Sequence, residues 1–298
     1  MQAAIGNAFR ASLVVLGVLA GGAPALGQMV TPVPAGMPDK SAYTLVNPIP
    51  ADQLASFCTD RPTKSNLPCT VDPGHFQYES DIFNWTHVSA GGVTTDTFLY
   101  TNPTLKWGVS SQADIELNVA PAERVTVKAP SGRQDLTGVG DLFLRAKYNF
   151  ANLDGGDFQA TILPYVKVPT AKPGIGNKAV EGGLILPVSF ALPSNFTLLF
   201  DPETDVLRNS LNRGRHANFQ TLANLSHGLS DSVTAYVELW GEYDDDPSGA
   251  AKQASFDLAV SWVAWDQLPN LQFDVGTNIG LTAATPKLQA YAGVSQRF

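Results

Sequence analysis

Residues 141–150 read DLFLRAKYNF, and in this stretch apolar and polar side chains alternate. Every second residue from Leu142 to Phe150 is apolar, whereas Asp141, Arg145 and Lys147 lie on the opposite face. A period of two is typical of a β-strand with one apolar and one polar face. This stretch decides the fold because the same pattern recurs through the rest of the chain.

The alternation recurs in twelve segments that together extend from residue 74 to the end of the chain. They are 74–87, 95–109, 113–124, 138–150, 157–169, 178–192, 196–207, 215–228, 233–244, 252–264, 271–282 and 286–298. Most of them exceed the roughly 9 to 11 residues with which a tilted strand crosses a bilayer, and bacterial barrels have an even number of strands. The sequence therefore predicts an all-β fold, a closed antiparallel transmembrane β-barrel of about 12 strands.

The connections between these segments alternate in length. The short ones are 110–112, 151–156, 193–195, 229–232 and 266–270, and the longer, more polar ones are 120–137, 170–177, 208–214 and 245–251. Outer-membrane barrels have short periplasmic turns and long extracellular loops. The pattern predicts an outer-membrane protein of a Gram-negative bacterium with both termini in the periplasm, although the outer loops 88–94 and 283–285 are short.

The composition excludes several other classes of protein. Charged residues make up 15% of the 298 residues, against about 25% in a soluble globular protein. The net charge is −8, and no basic run is present that would neutralise a phosphate backbone, so nucleic acid is not an expected partner. The deficit of charged residues argues separately against an ordinary cytosolic enzyme.

The N-terminal part of the chain divides into two further segments. Residues 1–27 have the pattern of a signal peptide for export, with Arg10, an apolar run over 11–20 and small residues before Gln28. Residues 28–73 contain eight prolines and predict an extended periplasmic leader without a fold of its own. Cys58 and Cys69 predict one disulfide within it, with two free buried thiols as the alternative. The sequence leaves open whether the leader lies beneath the barrel or enters it as a plug.

The last segment carries a further signal. It alternates to the end of the chain at Phe298, and such a strand resembles the signal that the barrel-assembly machinery reads. Gln296 stands where the usual pattern prefers an aromatic residue. We therefore expect this machinery and outer-membrane lipid as partners.

Several strand segments resemble a known family. They are GVGDLFLRAKYNF (138–150), ILPYVKVPTA (162–171), AVEGGLILPVSFALP (179–193) and LPNLQFDVGTNIGLT (268–282). As a set they resemble the outer-membrane transporter family named for the meta-pathway of phenol degradation, over nearly all of 74–298. The resemblance implies a closed barrel that passes small molecules, encoded in some members beside genes for aromatic degradation, and it implies no catalytic residues.

If the apolar faces contact lipid, the polar faces line the lumen, because a charge at the bilayer midplane costs about 2 to 4 kcal/mol. The predicted lumen residues are Glu116, Asp141, Arg145, Lys147, Lys167, Glu181, Asp205, Glu238, Glu242, Asp257 and Asp274. Their acidic excess favours cations or neutral polar solutes. The alternative is that these charges pair and stiffen a narrow barrel. Arg145, Lys147 and Lys167 would then neutralise Asp141 and Glu181 rather than hold a carboxylate or phenolate in the pore.

Two groups of residues in the sequence admit a chemical role. His87 and Ser89 at positions i and i+2, with Asn102 on the next strand, resemble the site of outer-membrane phospholipase A. A strand end followed by a glycine-rich turn explains the same residues more simply. The run 244–246 (DDD) is better explained as a solvated loop than as a calcium site, and the histidines are scattered, so the sequence predicts no metal and no cofactor.

The sequence thus predicts a channel rather than an enzyme. It would pass small molecules, aromatic or hydrophobic compounds included, by diffusion through the lumen. The alternatives are an outer-membrane lipid-modifying hydrolase that uses His87 and Ser89, and a structural or adhesive surface barrel. The identity of the solute and the oligomeric state are not encoded in any pattern of this sequence.

Overall fold

The structure is a computed structural model that describes residues 40–151, 156–211, 213–264 and 268–298. The predicted signal peptide and residues 28–39 of the leader lie outside the described residues. The strands are β1 Phe76–Ala90, β2 Val93–Thr101, β3 Thr104–Ser110, β4 Ala113–Val119, β5 Ala122–Ala129, β6 Gly132–Gly138, β7 Leu142–Ala151, β8 Phe158–Val168, β9 Glu181–Ile185, β10 Val188–Leu192, β11 Phe196–Phe200, β12 Glu203–Arg208, β13 Arg215–Gly228, β14 Val233–Asp244, β15 Ala251–Val263, β16 Leu271–Gly280 and β17 Leu288–Arg297. A single 3₁₀ turn, Ala51–Gln53, precedes them among the described residues.

The seventeen strands form one sheet that closes on itself, because β1 pairs with β17 from Gln77 opposite Arg297 to His87 opposite Leu288. All pairings between named strands are antiparallel. Five pairs of consecutive strands continue one another in the wall, namely β2 with β3, β4 with β5, β6 with β7, β9 with β10 and β11 with β12. The barrel therefore has twelve passes, and the predicted fold class is confirmed.

Proline explains most of the interruptions within a pass. Pro103, Pro121, Pro187 and Pro202 each lie between the two halves of a pass, and Gly140 lies in the fifth gap. Proline has no N–H with which to continue a ladder, so the strand stops and restarts. Hydrogen bonds to neighbouring passes bridge some of the gaps, as between the Val119 amide and the Pro103 carbonyl at 3.2 Å. The wall stays closed across these bends.

One predicted outer loop is wrong. Residues 120–137 form mainly β5 and β6, a hairpin that continues the barrel wall. The reason is that Arg124, Thr126 and Lys128 alternate with Val125 and Val127, so the loop sequence itself has a strand period. The hairpin extends passes three and four beyond the length needed to cross a bilayer.

The barrel wall has apolar side chains on its outer face and charged side chains on its inner face, which is the reverse of a soluble protein. Apolar side chains point outward, and Leu144, Val166 and Leu239 are 45%, 47% and 56% exposed. Charged side chains point inward and are buried, as Lys147 and Glu238 at 1% and 0% exposure show. An apolar outer band is what a bilayer requires. Among the residues that the structure describes, no helix is long and apolar enough to cross a membrane.

Candidate functional site

The lumen contains part of the leader. Residues 57–73, here called the lumen segment, contact inward-facing side chains of many passes. The predicted disulfide between Cys58 and Cys69 is confirmed and ties this segment into a loop. Its contacts cluster near the ends of strands that lead into short turns, for example Val71 N to Asp114 Oδ2 at 2.9 Å. By the rule that short turns are periplasmic, the segment fills the periplasmic half of the lumen.

Two cations of the lumen segment are paired with acidic residues of the wall. Arg61 forms a bidentate contact with Asp274, with distances of 2.9 and 2.7 Å, and donates to Asp81 at 2.8 Å. Its guanidinium lies against Gly293, between these two carboxylates, where any side chain would collide with it. Bidentate arginine contacts fix geometry as well as charge.

Lys64 is the second cation. Its ammonium group contacts Asp257, donates to Ser255 Oγ at 2.8 Å and lies 5.1 Å from the centre of the Trp240 ring. The Lys64 backbone amide donates to Glu238 at 3.2 Å. The predicted lumen residues Glu238 and Asp257 therefore both contact Lys64 of the lumen segment.

The lumen segment also supplies the opposite charge. Asp60 accepts hydrogen bonds from Lys106 at 2.5 Å and from Lys147 at 3.0 and 2.8 Å. Both lysines are almost fully buried, and Glu79 and Glu116 are their further partners. A buried ammonium without an acidic partner is strongly unfavourable, so Asp60 satisfies a requirement that the barrel wall creates.

Neutral hydrogen bonds add to this attachment. The Pro68 carbonyl accepts from Asn149 at 2.7 Å and from Thr161 at 2.6 Å. Asn66 donates from its backbone and its side chain to Asp201, at 2.7 and 2.9 Å. These partners come from three different passes, so the lumen segment is held on several sides.

Asp72 joins Lys40, the first described residue, to the C-terminal strand at the end of the barrel that carries the short turns. Asp72 accepts from Arg297 at 2.9 Å and from Lys40 at 3.2 Å. Phe298 packs on Phe76 with ring centres 5.8 Å apart and remains 61% exposed. An exposed terminal aromatic residue is compatible with recognition by the barrel-assembly machinery, which stays a prediction.

The structure places all the predicted lumen residues on the inner face, although some of their partners differ from those expected. Lys167 pairs with both Asp141 and Glu181, at 3.3 and 2.6 Å. Arg145 and Lys147 instead lie near Glu116, at 3.9 and 3.5 Å. The expectation that all three cations neutralise Asp141 and Glu181 is therefore wrong for two of them. The cause is strand register, since Glu116 lies directly opposite Arg145 on the neighbouring strand.

An acidic region lies on the inner face of the barrel, away from the lumen segment. It consists of Glu203, Asp205 and Glu242, and we call it the outer acidic wall. Asp205 accepts from Tyr165 at 2.6 Å, Asn218 at 2.9 Å and Gln220 at 3.1 Å, and Glu242 accepts from Gln253 at 3.2 Å. In the described part of the chain these two carboxylates have neutral hydrogen-bond donors and no salt bridge. The acidic bias predicted from the sequence is thus concentrated here.

The residues of the hydrolase alternative do not converge. His87 faces outward and contacts Asp96 at 2.8 Å. Ser89 lies opposite Thr94, and Asn102, beyond the end of β2, contacts Asn118 at 3.2 Å. Asp96 and Asn102 are six residues apart along the pass, roughly 20 Å in a strand. No nucleophile is therefore aligned with His87 and Asn102 as acyl transfer requires.

One group of residues resembles a metal-binding set that sequence spacing did not reveal. His216, Asp244 and Asp246 are buried, and one potential ligand atom from each lies within 4.8 Å of the others. Ser210 and Ser248 each donate two hydrogen bonds to Asp246. Burial raises the pKa of Asp246, but these hydrogen bonds outweigh it and hold the pKa well below its usual range. These hydrogen bonds also use both carboxylate oxygens of Asp246. The geometry therefore indicates that this group holds the loops of Ser210 and Ser248 together rather than a metal ion.

Sequence reasoning missed the charged residues of the lumen segment. Asp60, Arg61 and Lys64 lie within the disulfide loop, and a proline-rich stretch gives no face or period that assigns them a direction. The available signal was the charge itself, since Asp60, Arg61 and Lys64 are potential partners for the charges predicted to line the lumen.

Comparisons with known proteins agree with this architecture. The sequence profile of the family described as "Putative MetA-pathway of phenol degradation" matches residues 59–298. The COG4313 outer membrane channel from Pseudomonas putida F1 has a similar structure, with a TM-score of 0.61 and 13% identity over 81% of this chain and 100% of that chain. The translocator domain of the autotransporter NalP from Neisseria meningitidis matches with a TM-score of 0.47 and 14% identity, over 75% of this chain and 88% of that domain. No curated protein sequence matches the chain.

Proposed function

The chain belongs to this family of outer-membrane β-barrels, and from that premise we propose that it is a passive channel for small neutral aromatic molecules. In this proposal the lumen segment is the constriction of the channel. No energy coupling is required, because solutes would follow their concentration gradient through the polar lumen.

The observation that carries the proposal is how the lumen segment is attached. Apart from one isolated bridge between its last residue, Pro73, and Gly108, it lies outside the barrel sheet and is held by side-chain contacts and hydrogen bonds rather than by strand pairing. It can therefore shift without breaking the ladder that closes the barrel. A cavity of about 130 Å³ already lies beside it, between Arg61 and Lys64 on one side and Asn84 and Tyr291 on the other.

The lining of the lumen supports the solute class. Tyr165, Tyr236, Trp240 and Tyr291 are on the inner face, and their rings offer stacking surfaces to an aromatic solute. The outer acidic wall disfavours anions, because charges of one sign set the field of a narrow pore. The family description, which names phenol degradation, points to the same class of compound.

The experiment measures flux and conductance together. Mature protein in liposomes is tested with phenol and with benzoate, two aromatic solutes of similar size that differ in charge near neutral pH. In parallel, single-channel conductance is compared between the unmodified protein and the Arg61→Ala/Lys64→Ala variant, because this variant removes both cationic anchors of the lumen segment. Arg213→Ala/Lys252→Ala, which removes two exposed cations outside the lumen, is the matched control.

We expect the protein-dependent phenol flux, taken above that of protein-free liposomes, to exceed the protein-dependent benzoate flux at least severalfold. We also expect the conductance to rise in the anchor variant and to stay unchanged in the control. Absence of protein-dependent phenol flux in both the unmodified protein and the anchor variant, with folding verified by heat-modifiable gel migration, would contradict the proposal and favour a sealed structural barrel.

A further inference from the structure

Outward-facing cations and aromatic residues meet on the first four passes of the barrel. Phe83 and Trp85 on β1 flank Phe98 on β2, with ring centres 6.0 and 6.4 Å apart. Arg124 and Lys128 on β5 and Arg133 on β6 continue the same face, which we call the outer-leaflet patch. These residues line a cleft of about 470 Å³ on the outside of the barrel.

The strand register shows in which rows across the strands the residues of the patch lie. Phe98 lies opposite both Trp85 and Arg124, so the aromatic rings and the first guanidinium share one row. Lys128 lies opposite Arg133 in a row farther from the membrane. Arg124 and Lys128 are four residues apart on one strand, about 13 Å. The patch therefore offers one centre of positive charge level with the aromatic rings and a second centre above them.

The depth of the patch matches the interface of the outer leaflet. Trp85 is the tenth residue of β1, and a tilted strand crosses the hydrocarbon core in about 9 to 11 residues. Tryptophan and other aromatic residues concentrate at this level, where one side of the ring contacts acyl chains. The cations of β5 and β6 consequently lie at the height of the lipid headgroups.

The three cations of the patch retain N–H groups that a ligand can use as hydrogen-bond donors. Their side chains are 40%, 54% and 54% exposed for Arg124, Lys128 and Arg133. Arg133 uses two of its five N–H groups on Asp135, Arg124 donates to the same carboxylate at 3.1 Å, and Lys128 contacts Asp96 at a loose 3.4 Å. Exposed ion pairs of this kind contribute little stability, so they orient the cations without consuming their capacity to bind an anion.

We propose that the outer-leaflet patch binds a phosphorylated glycolipid of the outer leaflet, a disaccharide with a phosphate at each end and several acyl chains. Arg124 contacts one phosphate, and Lys128 with Arg133 contacts the other, because both spacing and charge are complementary. Phe83, Trp85 and Phe98 pack against the acyl chains. Single-phosphate glycerophospholipids engage only one of the two centres and bind more weakly.

The test measures binding of lipid A to the purified full-length mature protein in detergent by native mass spectrometry. Bis-phosphorylated lipid A, its monophosphoryl form and phosphatidylglycerol are compared. The variant Arg124→Ala/Lys128→Ala/Arg133→Ala removes the patch cations. The variant Arg213→Ala/Arg215→Ala/Lys252→Ala removes two arginines and one lysine at the same end of other passes and is the matched control.

The expected result is at least a tenfold loss of lipid A affinity in the patch variant, no change in the control, and severalfold weaker binding of the monophosphoryl form. Equal losses in the two variants, or equal affinity for phosphatidylglycerol and lipid A, would overturn the proposal in favour of general surface electrostatics. Conductance and heat-modifiable migration verify folding, since the patch lies outside the lumen.

Discussion

The periplasmic half of the lumen and the outer acidic wall differ in how their charges are compensated. In the periplasmic half, Arg61 and Lys64 of the lumen segment face wall carboxylates, and Asp60 faces two wall lysines. In the outer acidic wall, Asp205 has only neutral hydrogen-bond donors. The charges of the first region hold the lumen segment in place. The carboxylates of the second region produce an electric field inside the lumen.

In the proposed channel this difference separates two properties. The charges that pair with the lumen segment set the free energy of its attachment and, by our proposal, how often the channel opens. The charges of the outer acidic wall set, by the same proposal, which solute is preferred. Variants in the two regions should therefore affect different measurements.

The largest expected effect is that of Asp60→Asn. Its loss removes a close acidic partner that the buried Lys106 and Lys147 share and leaves them only the contacts with Glu79 and Glu116, which costs about 4 kcal/mol. Amide exchange of the lumen segment should become about a thousandfold faster, because each 1.4 kcal/mol is a factor of about ten. Hydrogen exchange with mass spectrometry measures this. Asp52→Asn, at an exposed position of the leader, should leave the exchange unchanged.

Removal of the disulfide should have the next largest effect. A cross-link over a sequence separation of 11 stabilises its loop by about 3 kcal/mol in the chain-entropy model. In Cys58→Ser/Cys69→Ser we expect exchange in the lumen segment to accelerate about a hundredfold, while the heat-modifiable transition of the barrel stays in place. A simultaneous fall in barrel stability would show that the two parts are not separable.

A smaller effect is expected for Arg61→Lys. Lysine keeps the charge but cannot make the bidentate contact with Asp274 while also reaching Asp81. A loss of about 1.5 kcal/mol corresponds to roughly tenfold more frequent opening in single-channel records. Arg133→Lys, on the outside of the barrel, serves as the comparison and should show the unmodified opening frequency.

The smallest change in free energy is expected for Asp205→Asn. Amide exchange in the lumen segment should not change, because Asp205 does not contact it. The reversal potential under a salt gradient should shift toward weaker cation preference, since one charge leaves the outer acidic wall. If the exchange accelerates and the selectivity does not change, the division between the two regions is wrong.

The barrel wall follows from the pattern of the amino-acid sequence alone. A period of two, repeated from residue 74 to 298 between short and long connections, allows one closed antiparallel arrangement with charges inward. Its inner residues, such as Glu238 and Asp274, followed from the same alternation. The pair of cysteines likewise indicated their disulfide.

The position of the lumen segment and the pairing of the lumen charges depend instead on the tertiary structure. Residues 57–73 have no period, so nothing local directs Asp60 or Arg61 toward any pass. Their partners, such as Asp274, are up to 213 residues away in sequence. They come within reach only because closing the sheet gathers all passes around one axis. Alternation fixes the face on which a side chain lies, whereas the identity of its partner depends on register and closure.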